Sequence, residues 1–326
     1  MKRFLLVCAT LLLSASTLSA QSLTRIASGY SATSGPHAVL WVGREANLFE
    51  KQGLRVEVAF IRSGTTMSQA LLAGELAVAQ TGGPAVIQAA VGGADFVLLS
   101  VVLNTTPIVI MGTVNRMEEL KGKAIGVTRY GANTDISARY ALRKYNLVPD
   151  KDVAIVQLEE YAGIMGGIAS GRIAAGALAD PFTMHAAKLG YKELANVGAL
   201  GLEFPFVTLT AKKSYVRDHA DIVRRFMRAY VEAIALYKNK PDFAAKVTQK
   251  YTGIKDPEIL SATVGFYAPQ LAAAPYPTVG GIRFILDQLA PQNPKAKTVA
   301  PESLMDTEFV KQLEDSGYIK SLYSSR

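Results

Sequence analysis

Apolar residues recur along the chain in short blocks, and their spacing changes between the period of a strand and that of a helix. In residues 55–62, Val56, Val58 and Phe60 alternate with other side chains, which predicts a half-buried strand. Residues 222–237 instead place apolar side chains three or four positions apart, which predicts an amphipathic helix. Short strands that alternate with helices are typical of parallel sheets covered by helices. The pattern therefore predicts an α/β fold.

The same patterning predicts the other elements. Strands are expected at residues 25–29, 76–80, 96–103, 108–114, 124–128, 153–158, 173–179, 194–197 and 206–210. Helices are expected at residues 38–49, 67–72, 85–91, 135–145, 165–169 and 182–189. Residues 73–77 resemble residues 170–174, and in both segments a glycine (Gly74 or Gly171) suits the positive φ that often ends a helix. This repeat indicates two similar α/β lobes.

The chain is long enough for two lobes, because a single core rarely grows beyond about 250–300 residues and this chain has 326. A charged turn at residues 117–123 opens the second unit, and helices dominate again after residue 210. We therefore expect lobe one to contain residues 24–113 and 209–326, and lobe two to contain residues 114–208. The chain would cross between them twice, at a hinge.

The first twenty residues have the pattern of a secretory signal peptide. Lys2 and Arg3 precede an apolar run at residues 4–13, and small and polar residues follow up to Ala20. The apolar run is too short for a bilayer core, which needs about 20 residues. We therefore expect residues 1–20 to be cleaved near Ala20, which places the mature protein in the periplasm. An uncleaved anchor is the alternative.

Composition and charge narrow the chemistry. The one cysteine, Cys8, lies in the predicted signal peptide, so the mature chain offers no disulfide, thiolate metal site or cysteine nucleophile. The formal net charge is +8, but no block of five like charges occurs. The charge therefore indicates a mild attraction for anions, and it does not indicate nucleic-acid binding. The most apolar later window, residues 85–102, is interrupted by glycines and an aspartate and predicts no membrane span.

Polar residues are concentrated at five junctions where a predicted strand leads into a helix. In parallel sheets these junctions share one edge of the sheet, where ligands bind. Their hydroxyl, amide and carboxyl side chains are also good helix caps, so each junction could be only a helix start. Five together indicate a shared polar site whose free N–H groups suit an anion. The junctions are residues 31–36, 63–66, 81–84, 130–134 and 180–181.

Residue patterns that indicate an enzyme are scarce. The three histidines, His37, His185 and His219, have no metal-ligand spacing, and no zinc-protease, nucleophile-elbow or phosphate-loop motif occurs. We therefore expect no catalytic residue, no cofactor and no metal. An enzyme on the same fold that acts on a small metabolite, with His37 and Asp180 as its candidate groups, is the alternative hypothesis.

Several blocks of residues occur in an order that resembles one protein family. They are Gly29-Tyr30-Ser31 with Pro36, Leu48 to Leu54, Ser63 through Leu71 to Leu76, Leu120 to Val127, and Ile168 to Phe182. Together they resemble the nitrate/sulfonate/taurine class of ABC-transporter substrate-binding proteins, which is related to the proteins that bind the pyrimidine precursor of thiamine.

The resemblance implies a type II periplasmic-binding-protein fold. Each of its two lobes is a mostly parallel sheet flanked by helices, and the ligand cleft lies between the lobes. Lobe closure would capture a small ligand and deliver it to an ABC permease in the membrane. We expect the protein to act as a monomer and to bind no nucleic acid.

Departures from the family pattern bear on the ligand. Ser31-Ala32-Thr33 stands where pyrimidine binders have aromatic and acidic ligand residues, which argues against a thiamine precursor. Ala77 and Ala174 stand where family members often have Asp. A related pyrimidine synthase uses a cysteine-rich motif, which the mature chain cannot supply.

The predicted ligand is a small anion or zwitterion, such as a sulfonate, a carboxylate or nitrate. Arg129 could hold an anion with two parallel hydrogen bonds, whereas Asp180 could accept from a ligand amine or cap the helix that follows it. Aromatic side chains, Tyr161 among them, could instead stack on a ring. The expected ligand-binding residues are Tyr30, Ser31, Thr33, His37, Gly64, Thr65, Thr66, Thr81, Gly82, Gly83, Arg129, Tyr130, Asn133, Thr134, Asp180 and Phe182.

Overall fold

The computed structural model of the chain describes residues 23–324. The predicted signal peptide, residues 1–20, lies outside the described residues. Within residues 23–324, no helix is both long enough and apolar enough to cross a membrane.

Strands and helices alternate through the first two thirds of the described chain, and helices follow. The strands are β1 (Thr24–Tyr30), β2 (Leu54–Phe60), β3 (Val78–Thr81), β4 (Phe96–Thr105), β5 (Val109–Gly112), β6 (Ala124–Val127), β7 (Ala154–Gln157), β8 (Ala175–Leu178), β9 (Lys192–Asn196) and β10 (Glu203–Lys212). The α-helices are α1 (Ala38–Glu45), α2 (Leu48–Lys51), α3 (Gly64–Ala73), α4 (Gly83–Val91), α5 (Asn133–Lys144), α6 (Tyr161–Ala169), α7 (Phe182–Lys188), α8 (Lys213–Asp218), α9 (Ala220–Asn239), α10 (Pro241–Thr252), α11 (Pro257–Tyr267), α12 (Val279–Leu289), α13 (Glu308–Asp315) and α14 (Tyr318–Ser324). The α/β prediction is confirmed.

The strands form two five-stranded sheets of the same design. The first has the order β2-β1-β3-β10-β4, and the second has the order β7-β6-β8-β5-β9. In each sheet the first three strands are parallel, and the fourth runs antiparallel to both of its neighbours. We call the first sheet with its helices lobe one, and the second sheet with its helices lobe two. Gly74 and Gly171, the glycines of the sequence repeat, have φ of 82° and 72° and precede β3 and β8, the third strands of the two sheets.

The chain passes between the sheets twice, from β4 to β5 and from β9 to β10. The strand Val109–Gly112 pairs with β8 and β9 in the second sheet, although the expected division places it with lobe one. Strand β10 enters the first sheet at Glu203, six residues earlier than the expected return at residue 209. An apolar run predicts a strand but not the partner with which it pairs, so sequence alone did not place these two crossings.

The core of lobe one is built on amphipathic helices. Helix α9 buries Val223, Phe226 and Tyr230, as its apolar stripe predicts, and Phe226 packs on Phe49 with ring centroids 4.8 Å apart. The single helix expected over residues 38–49 is wrong in one respect. Asn47 has φ of 54°, a left-handed conformation that asparagine tolerates better than most residues, and it separates α1 from α2.

Candidate functional site

A small cavity lies between the two lobes. Lobe one lines it with Ser31, Ala32, His37, Ser63, Gly64, Gly82 and Ala85, and lobe two with Thr128, Ala132, Asn133, Thr134 and Tyr161. Its volume is about 20 Å³, which is enough for roughly one water molecule. In this arrangement of the lobes the cavity is therefore too small for a sulfonate or a carboxylate.

Four helices begin at this cavity. Gly64 starts α3, Gly82 precedes α4, Asn133 starts α5 and Tyr161 starts α6, and all four residues are part of the lining. The first N–H groups of a helix have no partner within the helix and carry its partial positive charge. The cavity is therefore surrounded by hydrogen-bond donors.

Side chains leave these donors uncapped. No side-chain hydrogen bond caps the N-terminus of α3, α4, α5 or α6. Helices α11 and α12, which begin away from the cavity, are capped by Asp256 and Thr278 respectively. The N–H groups at these four helix starts are therefore free of side-chain caps and available to a ligand, a property that they share with helices elsewhere in the described chain, such as α9 and α10.

The lining carries no carboxylate and no ammonium or guanidinium group. Its one imidazole, that of His37, is 1 % exposed, and burial lowers its pKa to about 3. At neutral pH His37 is therefore uncharged. The positive character of the cavity comes from helix dipoles and N–H groups, which favour an anion without a fixed counter-charge.

His37 has one ring nitrogen in use and one free. Its Nδ1 lies 2.8 Å from the Oγ of Ser34. Its Nε2 is buried and has no partner among the described residues. The ring also meets Phe206 edge to face, with centroids 6.4 Å apart. The free nitrogen is the polar group that His37 can offer to a ligand.

Asn133 joins the two lobes across the cavity. Its Nδ2 donates to the backbone oxygen of Phe206 in lobe one at 2.8 Å, and its Oδ1 is buried without a partner. The amide lies directly over Gly82, where an added Cβ would stand 2.4 Å from the Oδ1 of Asn133. Glycine at position 82 is what allows this approach.

Further contacts hold the lobes together around the cavity. The amide of Gly35 donates to the backbone oxygen of Asp180 at 2.9 Å. Arg62, which follows edge strand β2, pairs with Glu160, which follows edge strand β7, at 2.9 Å. The first contact joins backbone of the two lobes directly, and the second lies on the side of the sheets opposite the two crossings.

The structure brings six of the sixteen expected residues into the cavity lining. They are Ser31, His37, Gly64, Gly82, Asn133 and Thr134. The expected set does not include Ala32, Ser63, Ala85, Thr128 or Ala132, which also line the cavity, and the sequence gave Tyr161 only a stacking role. Ser63, Thr128 and Ala132 each adjoin an expected residue, so the junctions themselves carried that signal, whereas Tyr161 lies 19 positions from Asp180, the nearest expected residue. Ser63 also has φ of 73°, an unusual value for serine, at the residue just before α3.

Several expected residues lie close to the lining without being part of it. Thr65 shares a hydrogen bond of 3.1 Å with Ser63, and Thr81 has a buried hydroxyl without a partner. Gly83 packs against Pro205, whose atoms would lie 2.6 Å from an added Cβ. Thr33 and Thr66 are half-buried beside the same junctions.

Arg129 and Tyr130 are engaged elsewhere. The guanidinium of Arg129 donates to Glu159 at 2.9 Å, and the side chain is 39 % exposed. The hydroxyl of Tyr130 donates to the backbone oxygen of Ile155 at 2.9 Å. Neither residue lines the cavity in this arrangement of the lobes.

Asp180 accepts hydrogen bonds from the hydroxyl of Thr183 and the backbone N–H of Met184. This is the helix-capping geometry that the sequence left open. Burial raises the pKa of Asp180 to about 6. The residue lines a separate cavity of about 490 Å³, which also contacts the crossing residues Thr105 and Gly198.

The expected aromatic residues pack behind the site. Tyr30 stacks on Phe60 with centroids 5.0 Å apart and meets Trp41 edge to face at 5.2 Å. Phe182 lies 5.4 Å from the ring of Tyr161. Tyr161 is the aromatic residue that reaches the lining. Within residues 23–324, no group of three or more His, Cys, Asp or Glu side chains could hold a metal ion.

The amino-acid sequence is similar to those of known binding proteins. The family model described as NMT1/THI5 like matches residues 34–244. The taurine-binding periplasmic protein of Escherichia coli (strain K12) is 26% identical over 281 residues, which cover 83% of this chain and 82% of that protein. A provisionally named binding protein, YtlA of Bacillus subtilis (strain 168), is 25% identical over 250 residues, or 74% of this chain and 75% of the relative.

Solved structures give the same result for the fold. The alkanesulfonate-binding protein SsuA of Xanthomonas axonopodis pv. citri, solved with MOPS bound, superposes with a TM-score of 0.74. The alignment covers 87% of this chain and 98% of that chain at 19% identity. The two-lobed periplasmic-binding-protein fold expected from the sequence is confirmed.

Proposed function

The chain belongs to the NMT1/THI5-like family, and on that premise we propose that it is the substrate-binding protein of an ABC importer. It captures a small oxyanion, such as a sulfonate or a carboxylate, between its lobes and delivers it to a membrane permease. Relatives named for taurine and for alkanesulfonates support this ligand class.

One observation carries the proposal. Four helix N-termini without side-chain caps meet at one cavity whose lining has no charged side chain. Such donors satisfy the oxygens of a sulfonate, a carboxylate or nitrate, and the lining has no carboxylate to balance the charge of a cation. The residues proposed to bind the ligand are members of the cavity lining: Ser31, His37, Ser63, Gly64, Gly82, Asn133, Thr134 and Tyr161.

Binding and closure are coupled in this proposal. The cavity of about 20 Å³ is too small to admit a sulfonate from solution. The two crossings between the sheets act as the hinge about which lobe two moves. The ligand enters the open cleft, and the contacts of Asn133 and Gly35 with the opposite lobe form as the lobes close around it.

We further propose that the protein works in the periplasm and that it binds its ligand without chemical turnover. Residues 1–20 direct the protein to the periplasm as a cleaved signal peptide, where a monomer meets the permease. His37 is a poor general base at neutral pH because its pKa is about 3. Asp180, the other candidate for an enzyme, is occupied by Thr183 and lies outside the cleft lining.

A thermal-shift panel tests the ligand class. Taurine, ethanesulfonate, nitrate and benzoate form the anionic and zwitterionic arm, and ethylamine and choline form the cationic control arm. At about 100 times Kd a ligand adds about 2.7 kcal/mol, which corresponds to roughly 5–10 °C for a protein of this size. A rise in Tm confined to the cationic arm, or chemical turnover of any ligand by the pure protein, would refute the proposal.

A further inference from the structure

We propose that the ligand is an oxyanion that also carries a hydrogen-bond donor, a hydroxyl or an amine, and that the side-chain oxygen of Asn133 accepts from that donor. The inference rests on the proposed function for the oxyanion and narrows the ligand class within it. Hydroxy- and amino-sulfonates and their carboxylate counterparts belong to this narrower class, whereas nitrate and plain alkanesulfonates do not.

The orientation of the Asn133 amide is fixed by the opposite lobe. Its Nδ2 lies 2.8 Å from the backbone oxygen of Phe206. A carbonyl oxygen can only accept a hydrogen bond, so the atom that faces it is the amide nitrogen, and turning the amide over would bring two oxygens together. The other arm of the amide is therefore an oxygen, which can only accept.

This oxygen is buried and has no donor. The Oδ1 of Asn133 has no hydrogen-bond partner among the described residues, and Asn133 is part of the cavity lining. The atom lies on the side of Gly82, where an added Cβ would stand 2.4 Å from it, and Gly82 belongs to the same lining. A buried acceptor without a donor is costly, and a donor on the ligand removes that cost.

The neighbouring polar groups of the lining do not require such a donor. The hydroxyl oxygen of Thr134, the next residue of α5, accepts from the N–H of Thr128 at 2.9 Å and lies 2.8 Å from the hydroxyl of the same residue. The free Nε2 of His37 can donate or accept according to its tautomer, so it sets no requirement. Of these lining groups, the Oδ1 of Asn133 is the one that needs a donor.

The acceptor stands among the helix starts that attract the anion. Asn133 is the first residue of α5, and Gly82 directly precedes α4. A ligand that places its oxygens on the N–H groups of these helices therefore brings its remaining groups close to the amide oxygen. An anion with no donor leaves that oxygen unpaired or sets one of its own oxygens against it, and both arrangements are unfavourable.

Calorimetric titration with two matched pairs of ligands tests this requirement. Isethionate and 1-propanesulfonate have the same length and differ in a terminal hydroxyl or methyl group, and 3-hydroxypropanoate and butanoate form the same pair with a carboxylate. In the pair that binds, the hydroxylated member should bind roughly fivefold to a hundredfold more tightly. Taurine, with an amine in place of the hydroxyl, should share this advantage over 1-propanesulfonate.

Asn133→Ala shows whether the amide oxygen is the source of the preference. The variant also loses the hydrogen bond to Phe206, which weakens closure for both members of a pair alike, so the ratio of the two affinities isolates the oxygen. We expect this ratio to fall to about one. Arg62→Ala is the matched control, because it removes a different contact between the lobes, the ion pair with Glu160, and leaves the amide in place. Its ratio should equal that of the parent.

The outcomes separate this inference from the proposed function. Equal or tighter binding of the methyl member of a pair, or a ratio that Asn133→Ala leaves unchanged, overturns the donor requirement and keeps the oxyanion. Absence of binding by both pairs, by taurine and by nitrate refutes the proposed function, and the donor requirement with it.

Discussion

Replacing Gly82 with alanine should block closure of the lobes without harming either lobe. The backbone at Gly82 has φ of −77° and ψ of 137°, which alanine adopts without strain. The new Cβ would lie 2.4, 2.7 and 2.8 Å from three atoms of the Asn133 amide in the opposite lobe. Optimal contacts between such atoms are about 3.5–4.0 Å, so the amide or the lobe must move.

The size of the effect follows from what holds the amide in place. Asn133 is fixed by its hydrogen bond to Phe206 at 2.8 Å, and giving up such a bond costs about 0.5–1.5 kcal/mol. Overpacking of a tight contact costs about 1–3 kcal/mol. A penalty of about 1–3 kcal/mol on the closed form lowers ligand affinity by roughly fivefold to 150-fold.

Calorimetric titration of the ligand that the panel identifies measures this loss. Gly166→Ala is the matched control, because Gly166 lies in helix α6 with no atom within 4 Å of an added Cβ. The Tm of unliganded Gly82→Ala should stay the same or rise slightly, since glycine to alanine at a compatible φ removes entropy from the unfolded chain.

A double variant separates the clash from other causes. Asn133→Ala removes the amide that the new methyl group would strike, so Gly82→Ala combined with Asn133→Ala should bind more tightly than the sum of the two single losses allows. Affinity of Gly82→Ala within twofold of the parent, or strict additivity in the double variant, would show that Gly82 and Asn133 do not meet in the bound form.

Three further predictions concern charge. The pKa of His37 falls from 6.5 to about 3 on folding, so the free energy of unfolding decreases as the pH falls from 6.5 toward 3. Denaturation measured across this range should show a slope that is smaller in His37→Gln than in the parent, by up to about 1.4 kcal/mol per pH unit. The pKa of Asp180 rises from 3.8 to about 6 on folding, so the buried carboxylate destabilises the fold above pH 6, and this effect fades as the pH falls toward 3.8. Asp180→Asn should therefore raise Tm at pH 7.5 but not at pH 4. A lower Tm at both pH values would contradict the burial argument. Arg62→Ala removes the ion pair with Glu160, which is largely exposed, and should weaken ligand binding by less than about fivefold, with the difference from the parent gone in 0.5 M salt.

Local patterns were enough to predict the architecture. Alternation along residues 55–62 and the apolar stripe of α9 each report which face of one element is buried, and that information is contained in a few consecutive residues. The glycines at positions 74 and 171 marked equivalent corners of the two lobes for the same reason, because a positive φ is a property of one residue. The family blocks then fixed the fold class.

The choice among candidate site residues was made by the tertiary structure. Sequence placed Arg129, Asn133 and Asp180 at the correct sheet edge, but it could not say where each side chain finds its partner. Arg129 donates to the carboxylate of Glu159, and Asp180 accepts from the hydroxyl of Thr183. Asn133 donates to the backbone oxygen of Phe206 in the opposite lobe. These partners are between 3 and 73 positions away; Glu159 and Thr183 belong to the same lobe as the residues they contact, and only the contact of Asn133 with Phe206 depends on how the lobes pack.

The same holds for the chemistry of the cavity. A sequence shows that His37 and Tyr161 exist, and it shows neither that the two side chains line one cavity from opposite lobes nor that burial lowers the pKa of His37 to about 3. Desolvation and hydrogen bonding act through space between residues that are 124 positions apart in the chain. The sequence by itself therefore determined the α/β fold class and the junctions around the site, whereas the tertiary structure decided the lobe boundaries, which groups line the cavity and in which protonation state they are.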